Sequence, residues 1–234
     1  MKKTGIITVT FNVPKLLEYQ LKTLKKYCLD DYEFIVIDNS NDENHINEIK
    51  NICKENNISY THKGFSVSVG NVPSTNHGLA LNYAYETFKN KFDYLVFLDH
   101  DLFPIKPFSV GEMLGDNIIG GCEQNINNTI YLWPGFIMFS KLDETFDFTP
   151  NPHDTGCKLS GFINQNIDKV LFFDNGAVPI DLKLNNDWLH EFYGDIHNGT
   201  FMHFVKASNW MDANVETFNI RQNHLFGLLD EYIK

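Results

Sequence analysis

The element best suited to chemistry is Asp99-His100-Asp101, which closes the apolar run Tyr94-Leu95-Val96-Phe97-Leu98. Two carboxylates at i and i+2 beyond a strand can both reach one cation when the chain turns there. Hard oxygen donors suit Mg2+ or Mn2+, ions that bridge the phosphates of a nucleotide. A solvated turn is the competing reading, since aspartate is common after strands. Position favours the site, because the apolar run delivers both carboxylates to a strand end. Two other polar groups stand in the same context: Asn12 after Ile6-Ile7-Thr8-Val9-Thr10-Phe11, and Asp38-Asn39-Ser40-Asn41-Asp42 after Tyr32 to Ile37. Viewed alone, the second group is ordinary turn chemistry.

The elements that must position these groups follow from the hydrophobic pattern. Ile6 to Phe11 is β-branched without helical period, as in a buried strand. Asn12 is a candidate N-cap, Pro14 suits a first helical turn, and Leu17, Leu21, Leu24 and Tyr27 recur at helical spacing opposite Lys15, Lys22, Lys25 and Lys26. Tyr32 to Ile37 reads as a second strand, His45 to Asn56 as a polar helix and Ile58 to Thr61 as a short strand. Gly78 to Phe92 follows as a helix with Leu81, Tyr85 and Phe88 on one face, then Tyr94 to Leu98 as a strand. This alternation predicts an α/β fold with right-handed crossovers and a parallel sheet covered on both faces. Ligands of such sheets bind outside the carboxyl ends of the strands, so Asn12, Asp38 and Asp99 to Asp101 are expected in one crevice. Farther along, Ile118 to Gly121, Phe136 to Phe139 and Val170 to Phe173 read as strands and Thr155 to Asn166 as helix. A loop-rich stretch spans residues 185 to 210, and a closing helix Asn214 to Tyr232. No repeat or linker divides the chain.

Composition narrows the function. The 234 residues are 43% hydrophobic and 21% charged, which is globular. Nineteen Lys+Arg against thirty Asp+Glu give −11, a poor footprint for nucleic acid. A phosphorylated ligand therefore needs a local reversal of sign, for which a bound divalent cation is the obvious means. Cys28, Cys53, Cys122 and Cys157 are widely spaced and read as reduced, mostly buried thiols. With no long apolar run and no signal-peptide pattern, a cytoplasmic protein without a transmembrane segment is expected. The Gly-rich loops of P-loop and dinucleotide-binding proteins and the nucleophile elbow of α/β-hydrolases are absent.

Four segments in order carry a family resemblance. Ile7-Thr8-Val9-Thr10-Phe11-Asn12 resembles the opening strand of the family 2 glycosyltransferases, which have the GT-A fold. Phe34-Ile35-Val36-Ile37-Asp38-Asn39-Ser40 is similar to their second strand and its acidic end. Asn76-His77-Gly78-Leu79-Ala80-Leu81-Asn82 is similar to the helix start before their metal strand, and Leu98-Asp99-His100-Asp101 to their Asp-x-Asp element. The resemblance implies a single GT-A domain over residues 1–234, with a nucleotide-sugar half (1–101) and an acceptor half (102–234). It implies Mn2+- or Mg2+-dependent transfer of a sugar from a UDP- or GDP-sugar to a glycan, protein, lipid or small-molecule hydroxyl, with inversion.

Residue by residue, the resemblance implies that Thr10 and Asn12 line the nucleotide pocket and that Asp38 accepts hydrogen bonds from the base. Asn76 and Gly78 would lie against the nucleotide-sugar, a helix cap being the other reading of Asn76. Asp99 would serve ribose and metal, and Asp101 would be the principal metal ligand. Trp133 and Gly135 would border the donor sugar, unless Trp133 is core. Asp154 would be the base that takes the acceptor proton, or else a helix cap, with Asp143, Glu144 and Asp147 as fallbacks. His203 would add a metal ligand that favours Mn2+, or sit hydrogen-bonded in the core; His190 and His197 rank behind it. Lys206 would reach the diphosphate or be solvated, and Trp188 and Trp210 would form acceptor surface or core. The alternatives from other classes are a nucleotidyltransferase, which would release pyrophosphate, and a non-catalytic nucleotide-sugar-binding module.

Overall fold

The computed structural model describes residues 2–67, 72–140, 143–177, 195–204, 207 and 215–234. The chain divides into two compact units. The first takes residues 1–14, 30–99 and 109–173, and the second residues 15–29, 100–108 and 174–234.

The first unit is built on a seven-stranded sheet. Its strands are β1 (Lys3–Thr10), β2 (Asp31–Asp38), β3 (Ser59–His62), β4 (Tyr94–Leu98), β6 (Ile119–Ile126), β7 (Thr129–Ser140) and β8 (Val170–Phe173); β5 belongs to the second unit. Their order is β3-β2-β1-β4-β7-β6-β8, with β7 antiparallel to both of its neighbours and every other pairing parallel. Ile7, Val9, Ile35, Ile37 and Phe97 pack on one face with Ala80, Leu81, Ala84 and Tyr85 of α3 (Val72–Phe88). Tyr85, Phe97, Phe139, Phe146 and Phe148 meet there at tilted or edge-on ring angles, with centroids 5.1 to 6.5 Å apart. Burial of both strand faces explains why β1, β2 and β4 read as unbroken apolar runs.

Several boundaries differ from the sequence expectation. Helix α2 (Glu43–Glu55) starts two residues before His45, because Asp42 caps it by accepting from the Asn44 and His45 N–H groups. Helix α3 starts six residues before Gly78, with Pro73 in its first turn, where a missing N–H costs nothing. Asn76 therefore lies within the helix rather than capping it. The helix also stops at Phe88, freeing Phe92 to lay its ring over Gly5, where a Cβ would come within 2.5 Å of it. The runs at 118–121 and 136–139 are the inner parts of one long hairpin. Its two-residue turn, Asn127-Asn128, has φ of 52° and 62°, a left-handed geometry that asparagine tolerates. The short helix α4 (Val110–Leu114) was not expected; Asp30 accepts from the Ser109 hydroxyl and the Val110 N–H at its start. Helix was expected from Thr155, but the left-handed Gly156 delays it to a 3-10 turn at Cys157–Leu159 and α5 at Ser160–Gln165.

In the second unit, helices α1 (Pro14–Tyr27) and α6 (Val215–Ile233) pack through Tyr19 and Phe226, stacked 4.3 Å apart. The Tyr19 hydroxyl donates to Asp230, and both Lys26 and Tyr27 donate to the Tyr232 carbonyl. A four-stranded antiparallel sheet joins β5 (Leu102–Pro104), β11 (Phe201–His203), β10 (Asp195–His197) and β9 (Asn175–Ala177), in that order. The expected loop-rich stretch thus contains the β10–β11 hairpin, whose turn places Asn198 and Gly199 at φ of 50° and 62°.

All four cysteines are free thiols, three of them buried. No helix among the described residues is long and apolar enough to cross a membrane.

Gly78 faces the backbone of the 148–149 segment. A Cβ there would lie 2.8 Å from the Phe148 oxygen and 2.8 Å from the Thr149 Cα. Gly78→Ala should therefore cost about 1–3 kcal/mol in urea unfolding, as overpacking does. Gly161→Ala, where a Cβ meets nothing within 4 Å, should leave the midpoint unchanged or raise it.

Candidate functional site

Parallel pairing of β1 with β2 and with β4 brings the loops after all three strands to one edge of the first unit's sheet. Asn12 has φ of 53° and does not cap α1. Its N–H donates to the Ser40 hydroxyl at 2.8 Å, its Nδ2 donates to Asn41 Oδ1 at 2.7 Å, and its Oδ1 accepts from the Asn41 and Asp42 N–H groups. Asn12 thus sews the β1 loop to the β2 loop.

Asp38 is 0% exposed. One carboxylate oxygen accepts from the Ser40 N–H at 2.9 Å and the other from the Tyr60 hydroxyl at 2.8 Å. Burial, and then the Asp38 charge, raise the Tyr60 phenol well above its ordinary pKa. The expected direct reading of a base by Asp38 needs an accessible carboxylate. In this arrangement Asp38 braces the loop, in which Asn12 is half-buried and Asn41 and Asp42 are exposed. Thr10 is also fully buried; its carbonyl accepts from the Asn39 N–H, and its hydroxyl has no hydrogen-bond partner among the described residues.

Asp99 follows β4. Its N–H donates to the Gly135 carbonyl at 2.8 Å, and its Oδ1 lies 3.0 Å from Nε2 of His77 on α3. A Cβ at Gly135 would run into the Trp133 indole and lie 2.6 Å from Oδ2 of Asp99, so any larger residue there would displace these side chains. Trp133 is half-buried, so it is not simply core. Asn76 accepts from the Val67 N–H at 3.0 Å and so holds the segment before α3.

The loop carrying Asp154 lies against the same part of β7. The Thr155 hydroxyl donates to the Ser74 carbonyl, and a Cβ on Gly156 would sit 3.1 Å from the Leu132 oxygen and 3.2 Å from the Pro134 ring. Asp154 is exposed and accepts from the Thr155 N–H. It caps no helix, since the capping position of the following turn is Gly156. Of the fallbacks, Asp147 is a poor base. Burial alone would raise its carboxyl, but donation from Lys158, Asn82 and the Thr149 N–H and hydroxyl holds it well below the usual carboxylate range. Asp143 and Glu144 are exposed.

In the second unit, Oδ1 of Asp101 lies 3.8 Å from Nε2 of His203, both side chains being nearly buried. The Asp101 carbonyl accepts from the Phe204 N–H. The His197 ring lies 5.5 Å from that of His203; burial, reinforced by His203, lowers its pKa to about 3. Mg2+ and Mn2+ are commonly held by one or two protein donors with waters and phosphate oxygens completing the shell. An oxygen–imidazole pair fits that pattern. Among the described residues, no group of three or more His, Cys, Asp or Glu side chains forms a metal cage. Lys206, His190, Trp188 and Trp210 lie outside the described residues.

Sequence reasoning named Asp99 but missed its partner His77. No local spacing links them, since 21 residues intervene and only the packing of α3 against β4 and β7 unites them.

A mainly parallel sheet with an antiparallel strand set between β4 and β6, and acidic loops at its carboxyl edge, defines a GT-A protein. Residues 5–115, a little under half of the chain, match the model of glycosyl transferase family 2. No curated protein gives a significant match. Among solved structures, the chain is similar to a mannosyltransferase from Pyrobaculum calidifontis in complex with GDP-Man and Mn2+. The identity is 15%, over 73% of this chain and 54% of that one, with a TM-score of 0.49. It is also similar to glucosyl-3-phosphoglycerate synthase from Mycobacterium tuberculosis in complex with phosphoglyceric acid, at 15% identity over 73% and 69% of the chains and a TM-score of 0.48. The chain thus spans about half the length of the mannosyltransferase.

The donors around Asp147 carry a pH signature. Because its folded pKa is depressed, its contribution to stability is complete above about pH 4 and is lost as pH falls further. Lys158→Met should flatten this acid loss, measured as the difference in urea midpoint between pH 7 and pH 3.

Proposed function

We propose that the chain is a metal-dependent glycosyltransferase that moves a sugar from a UDP- or GDP-sugar to an acceptor hydroxyl with inversion. The observation that carries this reading is the setting of Asp99. Its carboxylate is fixed at the carboxyl end of β4 beside Trp133 and Gly135, with the exposed Asp154 on a loop against the same stretch of β7. The family match over residues 5–115 supports it, and so does the net charge of −11, which leaves a diphosphate in need of a counter-ion.

In this proposal Thr10, Asn12 and the loop organised by Asp38 bind the nucleoside, and Asn76 and Gly78 fix the helix that borders it. Asp99 holds the ribose side, and Asp101 and His203 hold the cation. A bound divalent cation supplies positive charge that stabilises the departing diphosphate. The Trp133 indole offers a face to the sugar ring, and Gly135 lets the backbone approach it. Asp154 accepts the proton of the acceptor hydroxyl as its oxygen bonds the anomeric carbon, opposite the bond to the diphosphate that breaks. Lys206 adds a point charge for the phosphates. The acceptor is a hydroxyl of a glycan, protein, lipid or small molecule, bound by residues from the 102–234 half.

Calorimetric titration with UDP and GDP tests the donor half. Binding should require Mn2+, and Asp101→Ala should weaken it at least tenfold; metal-independent binding indifferent to that substitution would refute the reading. For the chemical step, Asp154→Asn should slow donor hydrolysis by about 10²- to 10⁴-fold while leaving nucleotide affinity within experimental error. Wild-type protein that binds donor but never hydrolyses or transfers it would be a binding module instead.

A further inference from the structure

His77 is the residue closest to the proposed chemistry that no role yet accounts for. It lies on α3 between Asn76, which holds the 67 segment, and Gly78, which abuts the 148–149 backbone. Two residues before Asn76, the Ser74 carbonyl accepts from the Thr155 hydroxyl. The helix is therefore pinned on both sides of His77, and the imidazole projects from a backbone with little freedom to shift. Asp99 is equally fixed, through its N–H bond to Gly135.

Between these two anchored backbones, Nε2 of His77 and Oδ1 of Asp99 approach to 3.0 Å, with side-chain exposures of 24% and 21%. That degree of burial reduces solvent screening and leaves one edge of the pair accessible. The second carboxylate oxygen occupies space that a Cβ at position 135 would enter, 2.6 Å away. Asp99 thus sits in a slot with an imidazole at one oxygen and a glycine beneath the other. An aspartate otherwise rotates freely about its terminal torsion, and a partner at one oxygen removes that freedom. Carboxylates that contact ligands are commonly oriented by such a neighbour, whose loss costs 10–100-fold in affinity or activity.

We propose that His77 is a positioning residue that sets the orientation of the Asp99 carboxylate for the nucleotide. This rests on the donor-binding function proposed above. The 3.0 Å approach of the imidazole to one carboxylate oxygen restrains that group without any change of charge.

Wild type, His77→Phe, His77→Gln, Asp99→Asn and the His77→Phe/Asp99→Asn double variant are titrated with UDP and GDP at saturating Mn2+, and each is melted without nucleotide. His77→Phe should weaken nucleotide binding about tenfold, and His77→Gln, whose amide can still donate, should restore most of it. The double variant should bind no more weakly than Asp99→Asn alone, because His77 acts through that carboxylate. Unchanged binding in His77→Phe overturns the proposal. So do losses that add in the double variant, or equal losses of melting temperature and binding in both His77 variants, which mark a merely structural residue. Wild-type protein that binds neither nucleotide removes the donor-binding function and this proposal together, whereas wild-type binding unaffected by His77 removes only the latter.

Discussion

Parallel pairing on both sides of β1 is the constraint from which the rest of the first unit follows. Lys3 to Thr10 pairs with Asp31 to Asp38, and Thr4 to Ile7 with Tyr94 to Phe97, all in one direction. Three strands so joined must end at the same edge, and whatever follows them is crowded together there. The price of parallel pairing is burial on both faces, met by α3 and the aromatic cluster around Tyr85. An antiparallel arrangement of the same segments would scatter Asn12, Asp38 and Asp99 to opposite ends.

An acidic chain that gathers aspartates at one edge must control where each carboxylate points, and it does so by different means. Asp38 is wholly buried and spends its oxygens on Tyr60 and the Ser40 N–H. Asp147 is surrounded by donors from Lys158, Asn82 and Thr149. Asp99 is met at one oxygen by His77 and is given room at the other by the absence of a side chain at position 135. Asp154 keeps an exposed carboxylate on a loop fixed at Thr155 and Gly156, which suits proton transfer better than the fully engaged groups.

The first hundred residues were legible because doubly buried strands have an apolar signature independent of their partners. Strand β4 matched its expected bounds for that reason. Helix α3 starts at Val72, ahead of the expected Gly78, with Pro73 in its first turn; Gly78 is a point of close packing within it. Strands β5, β9, β10 and β11 are three residues each, too short to show a period. They exist through pairing across distant sequence, such as Leu102 with His203. Asn198-Gly199 turns the β10–β11 hairpin, but the polar residues around it blur that signal in the sequence. The loop-bridging role of Asn12 was equally hidden, since only the fold reveals that its partners are Ser40, Asn41 and Asp42 rather than its own helix.

The β10–β11 connection has a further implication for how this protein can vary. His203 stands two positions beyond Phe201, which pairs with His197 across the three-residue turn. Side chains on a strand alternate sides, so the imidazole faces Asp101 only in this pairing register. Sliding β11 by one residue against Leu102–Pro104 would turn His203 to the opposite face, whereas a turn of another length that keeps His203 opposite Leu102 leaves it in place. The turn is free to drift in length and composition so long as the ladder beside it is kept.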